Sequence, residues 1–246
     1  MLDRLIGLAR SLAIYHGIPL RQRRLQRLYA QFASPGDLVF DLGAHAGNRT
    51  RALASIGCRV VAVEPQPDFV RLLRVWFARS SRVTVVQAAV CNYNGKTSLA
   101  ISERTPTVTT VDASWREARS RETGFAGVRW NRTLEVEAVT LDTLIARFGV
   151  PSFIKMDVEG SEPHVLEGLT FAVAALSFEY LPFALGDIEP CLARLETLGA
   201  YEYNFSIGES YRLASERWLT APELAAALRR PEAARRAGDA YARLVH

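Results

Sequence analysis

The chain has 246 residues, of which 49% are hydrophobic and 23% charged, a composition that suits a globular protein with a sizeable core. No apolar run reaches the roughly 18 residues needed to cross a membrane, and the charged N-terminal stretch lacks a signal-peptide cleavage site. The scattered cysteines Cys58, Cys91 and Cys191 argue against a disulfide framework and a structural zinc site, so we expect a cytoplasmic protein.

The net charge is +4, and a local cluster of arginines stands out near the N-terminus, at Arg21, Arg23, Arg24 and Arg27. Such a cluster could meet phosphate or anionic lipid, but its spacing is also that of a solvated helix face. It has no aromatic interleaving beyond Tyr29, which sites for single-stranded nucleic acid use for base stacking. We therefore expect no nucleic-acid partner.

In chain order, apolar residues first recur at helical spacing, which predicts an N-terminal helical extension over residues 1–35 with a break near Gly17-Ile18-Pro19. Short β-rich runs follow at 38–42, 59–63, 83–87, 153–157 and 176–180. Helical segments lie between them, at 50–56, 68–78 and 163–169. Strand alternating with helix predicts an α/β fold whose mostly parallel sheet is covered by helices on both faces.

Two further strands are predicted at 97–101 and 134–140, and a polar segment, residues 102–133, is inserted between them. A connection this long is usually functional or disordered, so we expect a lid-like wall beside a ligand site. Its Trp115 and Trp130 could stack on rings of a ligand or pack against the sheet.

The C-terminal part is predicted to contain a hairpin and a closing helix. The hairpin pairs residues 201–207 with 210–215, and the helix occupies residues 221–246. The main domain then spans residues 36–220.

The stretch "VFDLGAHAGNRT" ends an apolar strand at Asp41 and continues into a glycine-containing loop. Gly43 and Gly47 let the backbone approach a ligand at the carboxyl end of the sheet, but their spacing is not the GxGxxG that grips a pyrophosphate. Glu64, before Pro65, ends the second strand, where a carboxylate can accept both hydroxyls of a ribose. These features predict a nucleoside site without a pyrophosphate cradle, which fits S-adenosylmethionine.

The motifs "VFDLGAHAGNRT", "VVAVEPQPDFVRLL", "VQAAVCNYNGKTSLAI", "VTLDTLI" and "FIKMDVEGSEPHVLEGL" resemble the FkbM family of S-adenosylmethionine-dependent methyltransferases, over about residues 36–180. The resemblance implies a Rossmann-like class I methyltransferase fold with a seven-stranded sheet. It also implies O-methylation of a hydroxyl on a sugar, a glycan or another secondary metabolite. The family loop usually has asparagine where this chain has His45.

The expected cofactor contacts come from three strand ends and the loop after the first: Asp41, Gly43, His45, Gly47, Asn48, Thr50, Glu64, Pro65, Ala88 and Ala89. His45 lacks nearby metal-ligand partners, so it is a loop residue near the methionine part of the cofactor or a purely structural one. Asp41 is expected to orient the loop amides and the cofactor's amino group, or else to accept a cap or turn hydrogen bond. Asn48 and Thr50 either cap the next helix or contact the cofactor's carboxylate. The two alanines leave room for adenine but are equally good core residues.

The motif "FIKMDVEGSE" carries the candidate catalytic residues Lys155, Asp157 and Glu159, which alternate with apolar residues. A lysine inside a central strand needs a partner, which we expect to be Asp157, Glu159 or Glu179. Methyl transfer needs the acceptor oxygen held about 3 Å from the methyl carbon and its proton removed. Asp157 is the first choice of base and Glu159 the second. A Mg²⁺ ion held by the pair, or a structural role, stays open; His164 is more simply an exposed residue.

Other functions compatible with the motifs are N-methylation and a non-catalytic methyltransferase-fold binding module. A nicotinamide-dependent oxidoreductase is disfavoured by the absent GxGxxG. The expected partner is a small-molecule or glycan hydroxyl acceptor, and no metal ligand is assigned.

Overall fold

The computed structural model describes residues 2–16, 21–182 and 184–245, so the predicted break near Gly17-Ile18-Pro19 lies outside the described residues. The α-helices are α1 (Leu2–His16), α2 (Arg21–Tyr29), α3 (Asn48–Ile56), α4 (Pro67–Trp76), α5 (Ala113–Ser120), α6 (Leu141–Phe148), α7 (Glu162–Glu167), α8 (Ile188–Leu198) and α9 (Ala221–Leu228). The strands are β1 (Leu38–Leu42), β2 (Arg59–Val63), β3 (Val83–Val86), β4 (Ala89–Val90), β5 (Gly95–Ile101), β6 (Arg132–Val139), β7 (Phe153–Met156), β8 (Ala175–Tyr180), β9 (Tyr201–Ile207) and β10 (Gly238–Leu244).

The main sheet has seven strands in the order β3-β2-β1-β7-β8-β10-β9. Neighbouring strands run parallel from β3 to β8, and β10 is antiparallel to both β8 and β9. The predicted mostly parallel seven-stranded α/β sheet is therefore confirmed. Every residue of the central strand β1 is buried, because helices cover the sheet on both sides.

Alternate residues of β1 face two different layers of helices, as the two-residue period of a strand requires. Phe40 belongs to a large apolar cluster with residues of α6, α7, α8 and α9. Val39 belongs to a second cluster with residues of α2 and α3 on the opposite face. The side chain of Asp41, two residues after Val39, consequently points toward the α3 layer.

The inserted part of the chain builds a second, smaller sheet beside the first. It contains β4, β6 and β5 in that order, and β5 pairs with β6 antiparallel. The two predicted strands at 97–101 and 134–140 are thus confirmed, although each begins two residues earlier than expected. Between them lie α5 and two 3₁₀ turns, Pro106–Val108 and Thr123–Phe125.

Two predictions for the C-terminal part are wrong. The closing helix stops at Leu228, and residues 238–244 form strand β10 instead. Pro231 lacks the backbone N–H that would continue the helix, and β10 gains a hydrogen-bonded neighbour on each side, which outweighs its helix propensity. The predicted hairpin does not form, because residues 210–215 are not a strand, although Ala214 donates its N–H to the carbonyl of Phe205 in β9, and β9 pairs along its length with β10.

Within the part of the chain that the structure describes, no helix combines the length and the apolar character that crossing a bilayer requires.

The hydroxyl of Tyr201 ties β9 to the chain just before β8. It accepts a hydrogen bond from the amide of Val173 at 2.9 Å and donates one to the same residue's carbonyl at 2.7 Å. We expect Tyr201→Phe to lower the free energy of unfolding by about 1–3 kcal/mol, because it leaves two buried backbone groups unpaired. Denaturant unfolding measures this, and Tyr93→Phe, at a tyrosine that is 46% exposed, is the control. Equal midpoints for the two variants would contradict the assignment.

Candidate active site

One cavity opens at the carboxyl ends of β1, β2 and β7, and its volume is about 630 Å³ including the open mouth. Most of the residues predicted to bind cofactor or to act in catalysis line it: Gly43, His45, Glu64, Pro65, Ala88, Ala89, Asp157 and Glu159. The other predicted residues, Asp41, Gly47, Asn48, Thr50 and Lys155, are buried and do not line the cavity. The residues singled out from the sequence therefore converge on one edge of the sheet, but the sequence did not separate those that line the cavity from those that lie buried behind them.

Glu64 holds the loop after β1 in place. One carboxylate oxygen accepts the amide N–H of His45 and the other that of Gln66, each at 2.8 Å. The sequence predicted that Asp41 orients the loop amides. That part of the prediction is wrong, because the amide of His45 donates to Glu64. Burial raises the pKa of Glu64 to about 7, although the two amide donors favour its charged form.

Asp41 is fully buried beneath the loop and accepts a hydrogen bond from the hydroxyl of Thr50 at 2.5 Å. Its second oxygen makes no hydrogen bond with any residue that the structure describes. Burial raises the pKa of Asp41, opposed by the nearby ammonium of Lys155 and by the Thr50 hydroxyl. The cap of α3 is Gly47, which makes no side-chain cap hydrogen bond, so Asn48 and Thr50 are not caps. Thr50 instead anchors Asp41.

His45 has a positive φ of 45°, and its ring centroid lies 3.7 Å from that of Phe69. Burial lowers the pKa of His45 to about 3, so the ring is neutral at physiological pH. Among the described residues, the carboxylates and imidazoles close enough to share a metal ion do not include His45. The geometry thus supports a loop residue on the cavity wall and gives no support to a metal ligand.

The loops after β1 and β7 touch at a position that only glycine can occupy. Gly43 has a φ of 72°, and an added Cβ would lie 1.8 Å from the backbone oxygen of Asp157. Gly47 is similarly constrained, because a Cβ there would lie 2.6 Å from a methyl of Leu73. Gly43 shapes the cavity by permitting this close approach, whereas Gly47 leaves room for the side chain of Leu73 behind it.

Lys155 lies in the centre of the sheet with only 1% of its surface exposed, and its ammonium contacts a carboxylate oxygen of Asp157 at 2.6 Å. The predicted pairing of Lys155 with an acidic neighbour is confirmed. Desolvation favours the neutral form of Asp157, but the ammonium of Lys155 and the guanidinium of Arg49 outweigh it, so the pKa of Asp157 is lowered. Asp157 is therefore ionised and weakly basic.

Glu159 and Glu179 have the opposite electrostatic environment. Carboxylate oxygens of Asp157, Glu159 and Glu179 all lie within 4.8 Å of one another. Desolvation and the repulsion between these carboxylates raise the pKa of both glutamates well above the usual range. The backbone of Glu159 has a positive φ of 54°, which directs the chain sharply after β7. The carboxylates of this cluster thus differ in basicity: Asp157 is held ionised, whereas Glu159 and Glu179 bind a proton more strongly.

The inserted segment forms the facing wall of the cavity. Pro106, Thr107, Thr109, Thr110 and Val111 line it. The hydroxyl of Thr110 donates to the backbone oxygen of Glu159 at 2.9 Å, which joins this wall to the acidic edge.

The two tryptophans of this segment do not line the cavity. Trp115 is 5% exposed and stacks over Gly160, where an added Cβ would lie 2.0 Å from the indole. It borders a smaller cleft of about 270 Å³ that also contains Glu179. Trp130 donates its indole N–H to the backbone oxygen of Val108 at 2.8 Å. These contacts favour packing over sugar stacking in the main cavity.

Sequence reasoning missed several residues of the site. Thr109 and Ser161 line the cavity with buried hydroxyls that make no hydrogen bond within the described residues. The polar composition of residues 102–133 and the motif "EGSE" were the only signals, and neither distinguishes a lining residue from a loop residue. His164 is exposed, as expected, and its ring lies 3.3 Å from Glu167.

The close approach at Gly43 can be tested by adding one methyl group. We expect Gly43→Ala to lower the free energy of unfolding by about 1–3 kcal/mol more than Gly36→Ala, because overpacking adds to the backbone cost. Gly36 is the matched control, since it also has a positive φ, 91°, but an added Cβ there has no atom within 4 Å. Thermal or denaturant unfolding measures the difference, and equal losses would contradict the steric argument.

Comparisons with known proteins place these features in a family. The family model described as "Methyltransferase FkbM domain" matches residues 41–206. The hexuronic acid methyltransferase AglP of Haloferax volcanii is 25% identical over 155 residues, covering 62% of this chain and 58% of that protein. The chain therefore matches less than two thirds of that curated relative's length.

Solved structures are similar at lower identity. A TehB-like SAM-dependent methyltransferase from Corynebacterium glutamicum has a TM-score of 0.45 and 14% identity, covering 96% of this chain and 94% of that one. An O-methyltransferase from Bacillus cereus in complex with SAH has a TM-score of 0.43 and 12% identity, with 97% and 89% covered. The family match extends over more than half of the residues, from β1 to β9, and the chain belongs to the FkbM methyltransferase family.

Proposed function

We propose that this protein is an S-adenosylmethionine-dependent O-methyltransferase that acts on a hydroxyl of a sugar or glycan. The observation that carries the proposal is the arrangement of carboxylates around one cavity. Glu64 lies at the end of β2, and Asp157 and Glu159 lie at the end of β7, on the same cavity. Family membership supports methyl transfer, and the hexuronic acid named for the relative supports a sugar acceptor.

The residues present fit the nucleoside part of this cofactor. Glu64 offers a buried carboxylate for the ribose hydroxyls, and Ala88 and Ala89 leave space for a flat base beside it. Gly43, where any larger residue would collide with Asp157, lets the loop approach the ligand's amino-acid end. When bound, S-adenosylmethionine supplies an electrophilic methyl group on a cationic sulfur.

We assign the proton-accepting role to Glu159 and an orienting role to Asp157. A general base works best when its pKa lies near the working pH, and the ion pair with Lys155 makes Asp157 too weak a base. Burial and the neighbouring carboxylates raise the pKa of Glu159, which makes its carboxylate a stronger base than that of Asp157, and Glu179 lies beside it. The acceptor hydroxyl would give its proton to the carboxylate of Glu159 as its oxygen becomes nucleophilic. The sequence had ranked Asp157 first, and its electrostatic environment favours the second choice.

The charge of the cavity limits the acceptor. The described residues that line the cavity include no arginine or lysine. The imidazole of His45, which also lines it, is neutral. A carboxylate of the acceptor placed near the ionised Asp157 would be repelled, whereas neutral hydroxyls can donate to the acidic cluster and contact the hydroxyls of Thr109 and Ser161. We therefore expect a neutral sugar ring next to the acidic edge.

N-methylation is the second candidate, because three carboxylates also attract an ammonium group. Labelled methyl transfer to matched pairs of neutral and amino sugars separates the two. Incorporation confined to the amino sugars would replace the proposal, and no cofactor binding at all would support a non-catalytic module.

The role of Glu64 predicts a pH-dependent affinity. The ionised carboxylate accepts the ribose hydroxyls, and the pKa of Glu64 is about 7, so affinity for S-adenosylhomocysteine should fall as the pH drops through 7. Glu64→Gln should bind at least about tenfold more weakly at pH 8 and lose this pH dependence. Calorimetric titration measures both, with the exposed Glu232→Gln as control. Unchanged affinity and pH dependence in Glu64→Gln would refute the assignment.

The division of roles between Glu159 and Asp157 predicts opposite effects on stability. Glu159→Gln should lower the turnover number by about 10²–10⁴ and leave the melting temperature unchanged or higher, because a like-charge repulsion is removed. Asp157→Asn should lower the melting temperature, since it strands the buried ammonium of Lys155.

Calorimetry and labelled methyl transfer to a panel of sugars measure these effects, with S-adenosylhomocysteine affinity as the control for folding. Full turnover in Glu159→Gln would exclude it as the base. Loss of activity in chelator, with recovery on adding Mg²⁺, would instead favour a metal-assisted reaction at the same carboxylates.

A further inference from the structure

Helices α1 and α4 expose large hydrophobic side chains, which are called the apolar patch below. It consists of Leu5, Ile6, Val75 and Trp76, whose exposed fractions are 59%, 41%, 73% and 42%. These are four of the eight large hydrophobic side chains that are exposed among the described residues, and they come from only two helices. Such a concentration marks an interaction surface rather than scattered surface hydrophobics.

The two helices approach each other at two places. The guanidinium Nε of Arg4 in α1 donates to a carboxylate oxygen of Asp68 in α4 at 2.6 Å, and two turns further on Leu12 lines an open hollow with Trp76. On α1, Ala9 and Ala13 are also exposed, at helical spacing from Leu5. The exposed apolar residues of α1 therefore form a stripe along the helix.

Positive charge surrounds this patch. Its exposed neighbours along α1, α3 and α4, and just after α4, include five arginines: Arg10, Arg51, Arg71, Arg74 and Arg79. Arg51 lines the same hollow as Leu12 and Trp76. Of the nearby carboxylates, Asp68 pairs with Arg4 and, at 3.8 Å, with Arg71, and Asp3 is exposed. The local charge is far more positive than the protein average of +4 over 246 residues.

We propose that this surface docks on an anionic lipid bilayer. A helix that exposes an apolar stripe and is flanked by arginine, with a tryptophan at its margin, has the character of an interfacial helix. The apolar side chains enter the headgroup boundary while the arginines contact lipid phosphates. The charge favours this occupant over a second copy of the chain, because two such surfaces brought together would place their arginines face to face.

Docking would also orient the cavity. Gly7 of α1 lies so close to the inserted segment that an added Cβ would be 2.1 Å from the backbone oxygen of Glu103 and 3.0 Å from Pro106. Pro106 belongs to the cavity wall, so the same helix contacts the bilayer and supports the wall. The inference rests on surface chemistry and is independent of the proposed reaction.

Vesicle co-sedimentation of the full chain tests the proposal, with vesicles of phosphatidylcholine alone and of phosphatidylcholine mixed with phosphatidylglycerol. Binding should require phosphatidylglycerol and weaken at high salt, because the attraction is screened. The double variant Leu5→Glu/Val75→Glu should lose binding, and Val150→Glu, at another exposed valine, should keep it. Thermal unfolding confirms that each variant is folded.

The charges are tested separately. Arg10→Gln/Arg74→Gln should weaken partitioning by about fivefold for each arginine removed, whereas Arg235→Gln/Arg236→Gln, at exposed arginines on another surface, should leave it unchanged. Equal binding to both kinds of vesicle, or no binding to either, would overturn the proposal. Concentration-dependent self-association without lipid, lost in Leu5→Glu/Val75→Glu, would assign the patch to a second copy of the chain instead.

Discussion

The architecture of the active edge depends on one buried cation. The ammonium of Lys155 sits in the middle of the sheet, 1% exposed, and an unpaired charge at such a place would be strongly destabilising. Its contact with Asp157 at 2.6 Å offsets that charge and holds the carboxylate at the end of β7. The backbone of Asp157 continues the pairing of β7 with β1, donating its N–H to the carbonyl of Leu42 at 3.1 Å, and its own oxygen lies against Gly43 on the cavity floor.

The pairing of Lys155 with Asp157 leaves the charges of Glu159 and Glu179 only partly compensated. Lys155 and Arg49 both act on Asp157 and lower its pKa, while Glu159 and Glu179 repel each other within the same 4.8 Å cluster. The pKa values of neighbouring acids are thereby shifted in opposite directions. Such a difference can separate an orienting anion from a proton acceptor. Neither sequence spacing nor residue type could reveal this division, because it arises from which acid the lysine contacts.

What the sequence predicted well was local, and what it missed depended on distant partners. The bounds of β1 and β2 were predicted to the residue, because their apolar runs are bounded by turns and charged residues. Strand β10 was taken for a helix since its alanine- and arginine-rich segment becomes a strand only between β8 and β9. In the site, Glu64 was placed correctly on the cavity wall, but its hydrogen bond to the amide of His45 had been given to Asp41.

The two walls of the cavity differ in how much change they can absorb. On the β1–β7 side, Gly43 and the Lys155 ion pair allow almost no substitution without collision or a stranded charge. The opposite wall, residues 106–111, is tied to the rest of the molecule by individual hydrogen bonds, such as those from Thr110 to the backbone of Glu159 and from Gln66 to the backbone of Pro106. Substitutions in that wall can therefore change its shape and polarity while the pKa values of Asp157 and Glu159 stay shifted in opposite directions. Acceptor selection would then reside in the inserted segment, and the chemistry in the strand ends that face it.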